Sequence, residues 1–351
     1  MFAGTAEADN HGMKGIHMMT KPLRFALCFA AVLLIPVAAA TAGEPLGTCM
    51  GEAVTVTLND KGEAIGDGPD SIEGTDGDDV INAGDGRNFV DAGAGDDLIC
   101  TGDDADSISD GRGNDRTSSG GDGDTIRDDA GDDTIETGDG TDRVIDGKGD
   151  DQIETDAGDD KISLYRGRNV VRSGSGDDKI FDGRDDDMIF SGGGKDRFDG
   201  VRGGGGANQI SLGGGNDYAW GGKHNDKIKG GGGIDYMVGW KGDDKIYGGN
   251  GDDYSPKIQK KKPGTNGRLV GGPGNDKLFG GGGRDLLRGN EGKDKMFGED
   301  GDDDLDGGSQ KDLCSGGKGF DRGSECERLK GIDDPNWAPV GRIVSPRGAR
   351  R

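Results

Sequence analysis

Stepping nine residues at a time from Asp70, the sequence meets Asp79, Asn88, Asp97, Asp106, Asp115, Asp124, Asp133, Asp142, Asp151, Asp160, Asn169, Asp178, Asp187 and Asp196 without a slip. A three-residue insertion resets the register, which resumes at Asn208, Asp217, Asp226, Asp235, Asp244 and Asp253. A second insertion, carrying YSPKIQKKKPGTN, precedes a last run from Gly267 through Asp276, Asp285, Asp294, Asp303, Asp312 and Asp321. Of these 28 positions 24 are Asp, so the carboxylate is the constant feature. Carboxylates at a fixed spacing offer hard oxygen ligands, and oxygen-only ligation of flexible geometry suits Ca²⁺ better than softer or smaller ions. Histidine chemistry is scarce: His11 and His17 fall in a leader, and His224 stands at a glycine position in GGKHND. One histidine cannot build a His-rich zinc site, and any His-based triad would need His224, which reads as a tolerated loop substitution.

The elements that must hold these aspartates follow from their neighbours. Two residues after nearly every Asp stands an apolar side chain, as at Ile72, Ile81, Val90, Ile99 and Ile108, with Thr117 the exception. Glycine dominates the other flank, in GGPGNDKLF, GGGGRDLLR, GGGGIDYMV and GGNGDDYSP. Glycines let the chain turn tightly and aim carbonyl oxygens inward. The tripeptide around the apolar residue is a short strand, with one side chain inward and its two neighbours outward. With 75 Gly in 351 residues, 30% hydrophobic residues and a formal charge of −25, the chain has too little apolar surface for an ordinary core. Bound cations must supply what the apolar stack lacks. The acidic balance also argues against nucleic acid or an anionic membrane as partner.

The pattern resembles the hemolysin-type calcium-binding repeat of the RTX family, GGxGxDxUx, over about 255 residues of the chain. The resemblance implies an all-β fold, a right-handed parallel β-roll (β-solenoid) with two nonapeptides per turn of eighteen residues. Fourteen turns at about 4.8 Å would span about 65 Å. Equivalent positions then stack at i and i+18, so Asp97 lies above Asp115 and Asp276 above Asp294. Such columns repel without a counter-ion, and Ca²⁺ shared between turns converts repulsion into a cross-link, making folding and binding one equilibrium. Affinity per site should fall near the extracellular range, about 10⁻⁴ to 10⁻³ M. Asn88, Asn169, Asn208 and Gly267 weaken four positions, Asp185 replaces a loop glycine before Asp187, and loops such as DDAGDD lose leading glycines. The better-formed loops end at Asp97, Asp196, Asp217, Asp235, Asp253, Asp276 and Asp285.

Residues 1–42 differ from all that follows. Lys14, Lys21 and Arg24 precede FALCFAAVLLIPVAAA, and Ala40-Thr41-Ala42 offers small residues for cleavage, the form of a secretory signal peptide with a start at Met18 or Met19 more economical than Met1. The apolar run, broken by Pro36, is short for a membrane anchor. Its removal leaves 40 basic and 66 acidic residues and four cysteines. In an exported chain these read as two disulfides, Cys49 with Cys100 and Cys314 with Cys326, locking the two ends; free or metal-binding thiols are the alternative. The division is then a leader over 1–42, an N-terminal cap over 43–69, repeats over 70–200 and 201–254, and a basic insertion loop over 255–266. A third repeat block over 267–326 ends in the disulfide, and 327–351 reads as a disordered tail.

The eighteen-residue period also predicts outward stripes. Tyr218, Tyr236 and Tyr254 should stack, near Trp220 and Trp240, with Lys227 over Lys245 on the opposite face and Arg143, Lys161, Lys179 and Arg197 stacked earlier. These readings point to a non-enzymatic, secreted calcium-binding protein of structural or adhesive role at the cell surface or matrix, like the secreted RTX-repeat proteins common in actinobacteria. The segments flanking the repeats, 43–69 and 327–351, are too short for a catalytic domain. One alternative is an adhesin binding cell-wall or surface glycans through the tyrosines; ice binding suits the mixed outward positions less well. The other is the calcium-folded part of a toxin or hydrolase that lacks its catalytic domain.

Overall fold

The computed structural model describes residues 48–55, 65, 68–201, 205–250, 268–331 and 333. The leader, the basic insertion, Asp253, Tyr254 and Gly267 lie outside the described residues. Among these residues there is no helix, and none long and apolar enough to cross a membrane. Two parallel sheets of 14 strands each carry the repeats. Sheet one begins at Val80–Asn82 and ends at Arg328–Lys330; sheet two begins at Ser71–Thr75 and ends at Arg322–Ser324. Successive strands of the chain alternate between the sheets, so every strand pairs with the strand one turn before and one turn after.

Alternation within each strand decides what is inside. In Lys161–Ser163 the central Ile162 is buried and pairs in register with Val144 and Ile180, while Lys161 is exposed. Repeated along both sheets, this gives a core one side chain deep, from Ile72 and Ile81 to Leu305 and Cys314. Thr117, the exception in the sequence, takes its core slot between Ile99 and Ile135 and is buried there. Fourteen stacked rungs of one apolar residue per strand make a narrow core, so ladder hydrogen bonds and the loop side chains carry a large share of the order.

Both ends are closed covalently, by Cys49–Cys100 and Cys314–Cys326. Cys314 itself fills the inward slot of its strand, so the last disulfide grows out of the core. At the N-terminal end, Thr48–Cys49 and Glu52–Ala53 form a small antiparallel pair, and the Thr55 N–H donates to the Val80 carbonyl. At the other end the structure corrects the boundary at Cys326. Arg328–Lys330 is a strand paired in register with Leu313–Ser315, so the roll continues into the segment expected to be disordered. The insertions leave the ladder intact: Asp187 bonds to Asn208 and Asp196 to Asp217 across 21 residues, and Asp244 to Asp276 across 32, against 18 between uninterrupted turns.

Candidate metal centre

Nearly every turn brings one Asp or Asn to the entry of each sheet. Toward sheet one the column runs Asp79, Asp97, Asp115, Asp133, Asp151, Asn169, Asp187, Asn208, Asp226, Asp244, Asp276, Asp294 and Asp312. Toward sheet two it runs Asp70, Asn88, Asp106, Asp124, Asp142, Asp160, Asp178, Asp196, Asp217 and Asp235, then Asp285, Asp303 and Asp321. Along both columns the amide N–H of one residue donates to the Oδ1 of the next at 2.6 to 3.0 Å. One carboxylate oxygen therefore ties each turn to its neighbour.

The second oxygen is turned inward. Oδ2 of Asp97, Asp115, Asp217, Asp276, Asp294 and Asp303 is buried and accepts no hydrogen bond. A buried anionic oxygen without a donor is costly. Two such charges one strand spacing apart repel by roughly 3 kcal/mol at an effective dielectric of about 20. Burial, the largest cause, raises the carboxyls of Asp115 and Asp294 to about 6, those of Asp97 and Asp303 to about 7, and those of Asp226 and Asp276 to about 8. A divalent cation answers both the missing partner and the repulsion, and hard oxygen donors fit Ca²⁺.

The leading glycine of the loop has a steric reason. A Cβ on Gly271 would stand 2.2 Å from Oδ2 of Asp276, so glycine there leaves room for the carboxylate. Between Thr101 and Ser191 that position carries other residues, and the two sides of the roll differ. On the sheet-two side it holds Thr101, Ser119, Thr137, Thr155, Ser173 and Ser191. Thr137 donates its hydroxyl to Oδ2 of Asp142 at 2.5 Å, and Thr155 and Ser173 donate to the carbonyl one turn on. On the sheet-one side it holds Asp110, Asp128, Asp146, Leu164 and Asp182, all buried. Asp128, Asp146 and Asp151 place one oxygen each within 4.8 Å of one another, a group that fits a calcium site.

The departures flagged in the sequence fall into place differently. Asn88, Asn169 and Asn208 keep the ladder through Oδ1. Where Asp would present a bare oxygen, their Nδ2 donates instead, to the Gly84 carbonyl, Asp146 and Asp182. Asp187 stays in register despite Asp185, whose Oδ2 accepts the Gly167 N–H. His224 is exposed. Two groups were not legible as ladder members. Residues one before the columns form an exposed ladder in the opposite sense, with the N–H of Asp96 donating to Asp78, Asn114 to Asp96, Asp132 to Asn114 and Asp150 to Asp132. The doublets DD and ND were its signal. Glu327 and Asp333 accept the N–H of Asp312 and Asp321 and so stand where a further turn would have put Asp.

A model of the RTX calcium-binding nonapeptide repeat family matches residues 65–99, 118–145, 136–171, 172–203, 202–237, 220–254, 264–296 and 288–322. The chain belongs to the RTX repeat family. No curated protein matches it. RTX repeats bind Ca²⁺ in many copies, and the buried carboxylates of this RTX chain are the groups placed to do so.

The outward stripes of the RTX roll need one correction. Lys227 stacks on Lys245 as expected. Arg143, Lys161, Lys179 and Arg197, however, lead directly into Tyr218 and Tyr236 on the same sheet. The strand neighbour of Tyr236 on its far side is Arg268, so the tyrosine ladder has two members in the sheet, because the insertion shifts the chain by 14 residues there. Tyr218, Trp220 and Tyr236 lie with ring centroids 6.1 to 6.3 Å apart. A second stack, Tyr247, Phe279 and Phe297, covers the other sheet.

Proposed function

We propose that this RTX chain is exported and folds on calcium outside the cell, where it serves as a non-catalytic structural or adhesive element. The carrying observation is the pair of buried carboxylate columns in which the second oxygens of members such as Asp97, Asp115, Asp276 and Asp303 lack donors. Extracellular calcium, near the millimolar affinity of such modules, would then act as the folding signal, while the leader-like residues 1–42 supply the export route. Circular dichroism through a calcium titration, with magnesium as control, tests it. Loss of much of the β structure in chelator and its return at millimolar calcium is the expected result, and an unchanged spectrum sinks the reading. Export is checked by finding the chain in culture medium or on the cell surface, shortened by the leader.

A second reading is favoured by one feature. Where the basic ladder meets the aromatics, an open cleft of about 450 Å³ is lined by Asp177, Lys195, Arg197, Tyr218, Trp220 and Tyr236. Lys195 and Arg197 stand 5.5 and 5.0 Å from the ring centroids of Tyr218 and Trp220. Flat rings for sugar faces beside charged hydrogen-bond donors suit a cell-wall or surface glycan. Tyr218→Ser with Tyr236→Ser should abolish pull-down on isolated cell walls; retention would remove this reading.

A further inference from the structure

The position-one carboxylates between residues 110 and 187 do not belong to the GGxGxD pattern, which places glycine there. Along the sheet-one side they recur every eighteen residues as Asp110, Asp128, Asp146 and Asp182, with Leu164 interrupting the file. Each puts a second carboxyl beside the column Asp of its own loop. Asp146 is 4% exposed, and its Oδ1 has no hydrogen-bond partner; Oδ1 of Asp128 and Oδ2 of Asp151 are equally bare. Asp110, one turn before Asp128, is fully buried with Oδ2 also unpartnered.

Packing does not demand these acids. In the same turns the other side of the roll fills the equivalent position with Thr and Ser, and Leu164 fills it within the file itself. Three carboxylates converge with oxygens no more than 4.8 Å apart, the widest span for ligands about 2.4 Å from one cation. Their formal charge of −3 is enclosed by the roll. Cation and proton are the two neutralising agents the geometry admits, since the oxygens left bare are enclosed among other carboxylates.

We propose that Asp128, Asp146 and Asp151 form a second class of calcium site, built from side-chain carboxylates inside the roll and distinct from the loop sites of the repeat. The proposal rests on the calcium reading of the repeats. With more carboxylates and less solvent than a loop site, it binds more tightly and releases its ion last. Its ligands come from two adjacent turns, so the ion rivets the middle of the roll.

The full secreted chain is loaded with calcium, passed through a desalting column, and its bound calcium counted by atomic emission, with calorimetric titration for affinity. Asp146→Asn should lose one retained ion and weaken the tightest binding class at least tenfold. Asp128→Leu, which copies the natural Leu164, should do the same while preserving the circular dichroism spectrum. Asp294→Asn, in a loop headed by Gly289, should weaken the looser class and leave the tight ion in place. If Asp294→Asn changes binding but neither variant at 146 or 128 removes an ion, the carboxyls share protons instead and the proposal is overturned. If the unaltered chain retains and titrates no calcium at all, the family reading fails with it.

Discussion

The turns between residues 101 and 200 and those between 268 and 322 carry the same aspartate ladder but treat its inward oxygen in different ways. In the C-terminal turns the loop begins with glycines such as Gly271, Gly289 and Gly307, and Oδ2 of Asp276, Asp294 and Asp312 is buried without a donor. In the middle turns the sheet-two side supplies hydroxyls, one of which reaches Asp142. The sheet-one side adds buried acids, and Asn169 and Asn208 donate to two of them. One scaffold thus accommodates three answers to the same buried charge: a cation, a neutral donor, or a second carboxylate that demands a cation more strongly. The regions differ at the head of the loop and, with it, in strand length: Lys161–Ser163 and Lys179–Phe181 have three residues, Lys277–Gly282 and Lys295–Asp300 six.

The largest effect that separates them is calcium removal. In chelator, amide hydrogen exchange over 268–322 should lose its protection, while sheet-two amides between 125 and 199 keep at least tenfold slower exchange. Equal loss in both regions would show that the hydroxyl side chains contribute nothing of their own, with neighbour coupling along the solenoid dominating.

Next come the point substitutions. At Gly292, with φ +146°, an added Cβ would lie 1.4 Å from the Gly274 carbonyl oxygen of the preceding turn. Gly292→Ala should cost about 3 kcal/mol or more in urea unfolding with calcium present. At Gly271 an added Cβ would crowd the Asp276 side chain, from Oδ2 at 2.2 Å to Cβ at 2.8 Å, and no backbone, so Gly271→Ala should displace the carboxylate and lower calcium affinity. Thr137→Val should cost about 1 kcal/mol, the value of one hydrogen bond, with little change in calcium uptake. A larger cost for Thr137→Val than for Gly292→Ala would reverse the comparison.

The two regions should differ least in pH dependence. The column carboxyls of both regions are raised by burial above their ordinary 3.8, to about 6 for Asp106, Asp142 and Asp294 and about 8 for Asp276. The folded state therefore binds protons more tightly than the unfolded chain. Without metal, stability should be greatest near pH 4, fall as pH rises through about 6 to 8, and level off above. With saturating calcium the slope reverses, because protons then compete with the ion. Urea midpoints at pH 4, 6 and 8, in chelator and in calcium, check both slopes. A metal-free protein that grows more stable from pH 4 to 8 would contradict the buried placement of these groups.

Most of this was legible in a linear reading because the repeat is strict. The nine-residue step marked the repeat units, the two-residue offset marked Ile162 and its equivalents as core, the family resemblance implied two repeats per turn, and the end positions of the cysteines favoured two disulfides over free thiols. The two-member tyrosine ladder was not legible, since the second insertion decides which strand lies beside Tyr236. Nor was the closure of the columns by Glu327 and Asp333, which lie beyond the last register position and reach it only in three dimensions.

By itself the sequence determined the period, the alternation of apolar and polar residues, and the supply of oxygen ligands. All three are local properties of a nonapeptide. Only the tertiary structure decided what each carboxylate faces. Whether the residue at the head of a loop is Gly271, Thr137 or Asp146 is plain in one dimension, but its consequence depends on an oxygen five residues on, held in place by the amide of the adjacent turn. Stacking brings those groups together, and burial then sets whether a donor, a proton or an ion must stand between them.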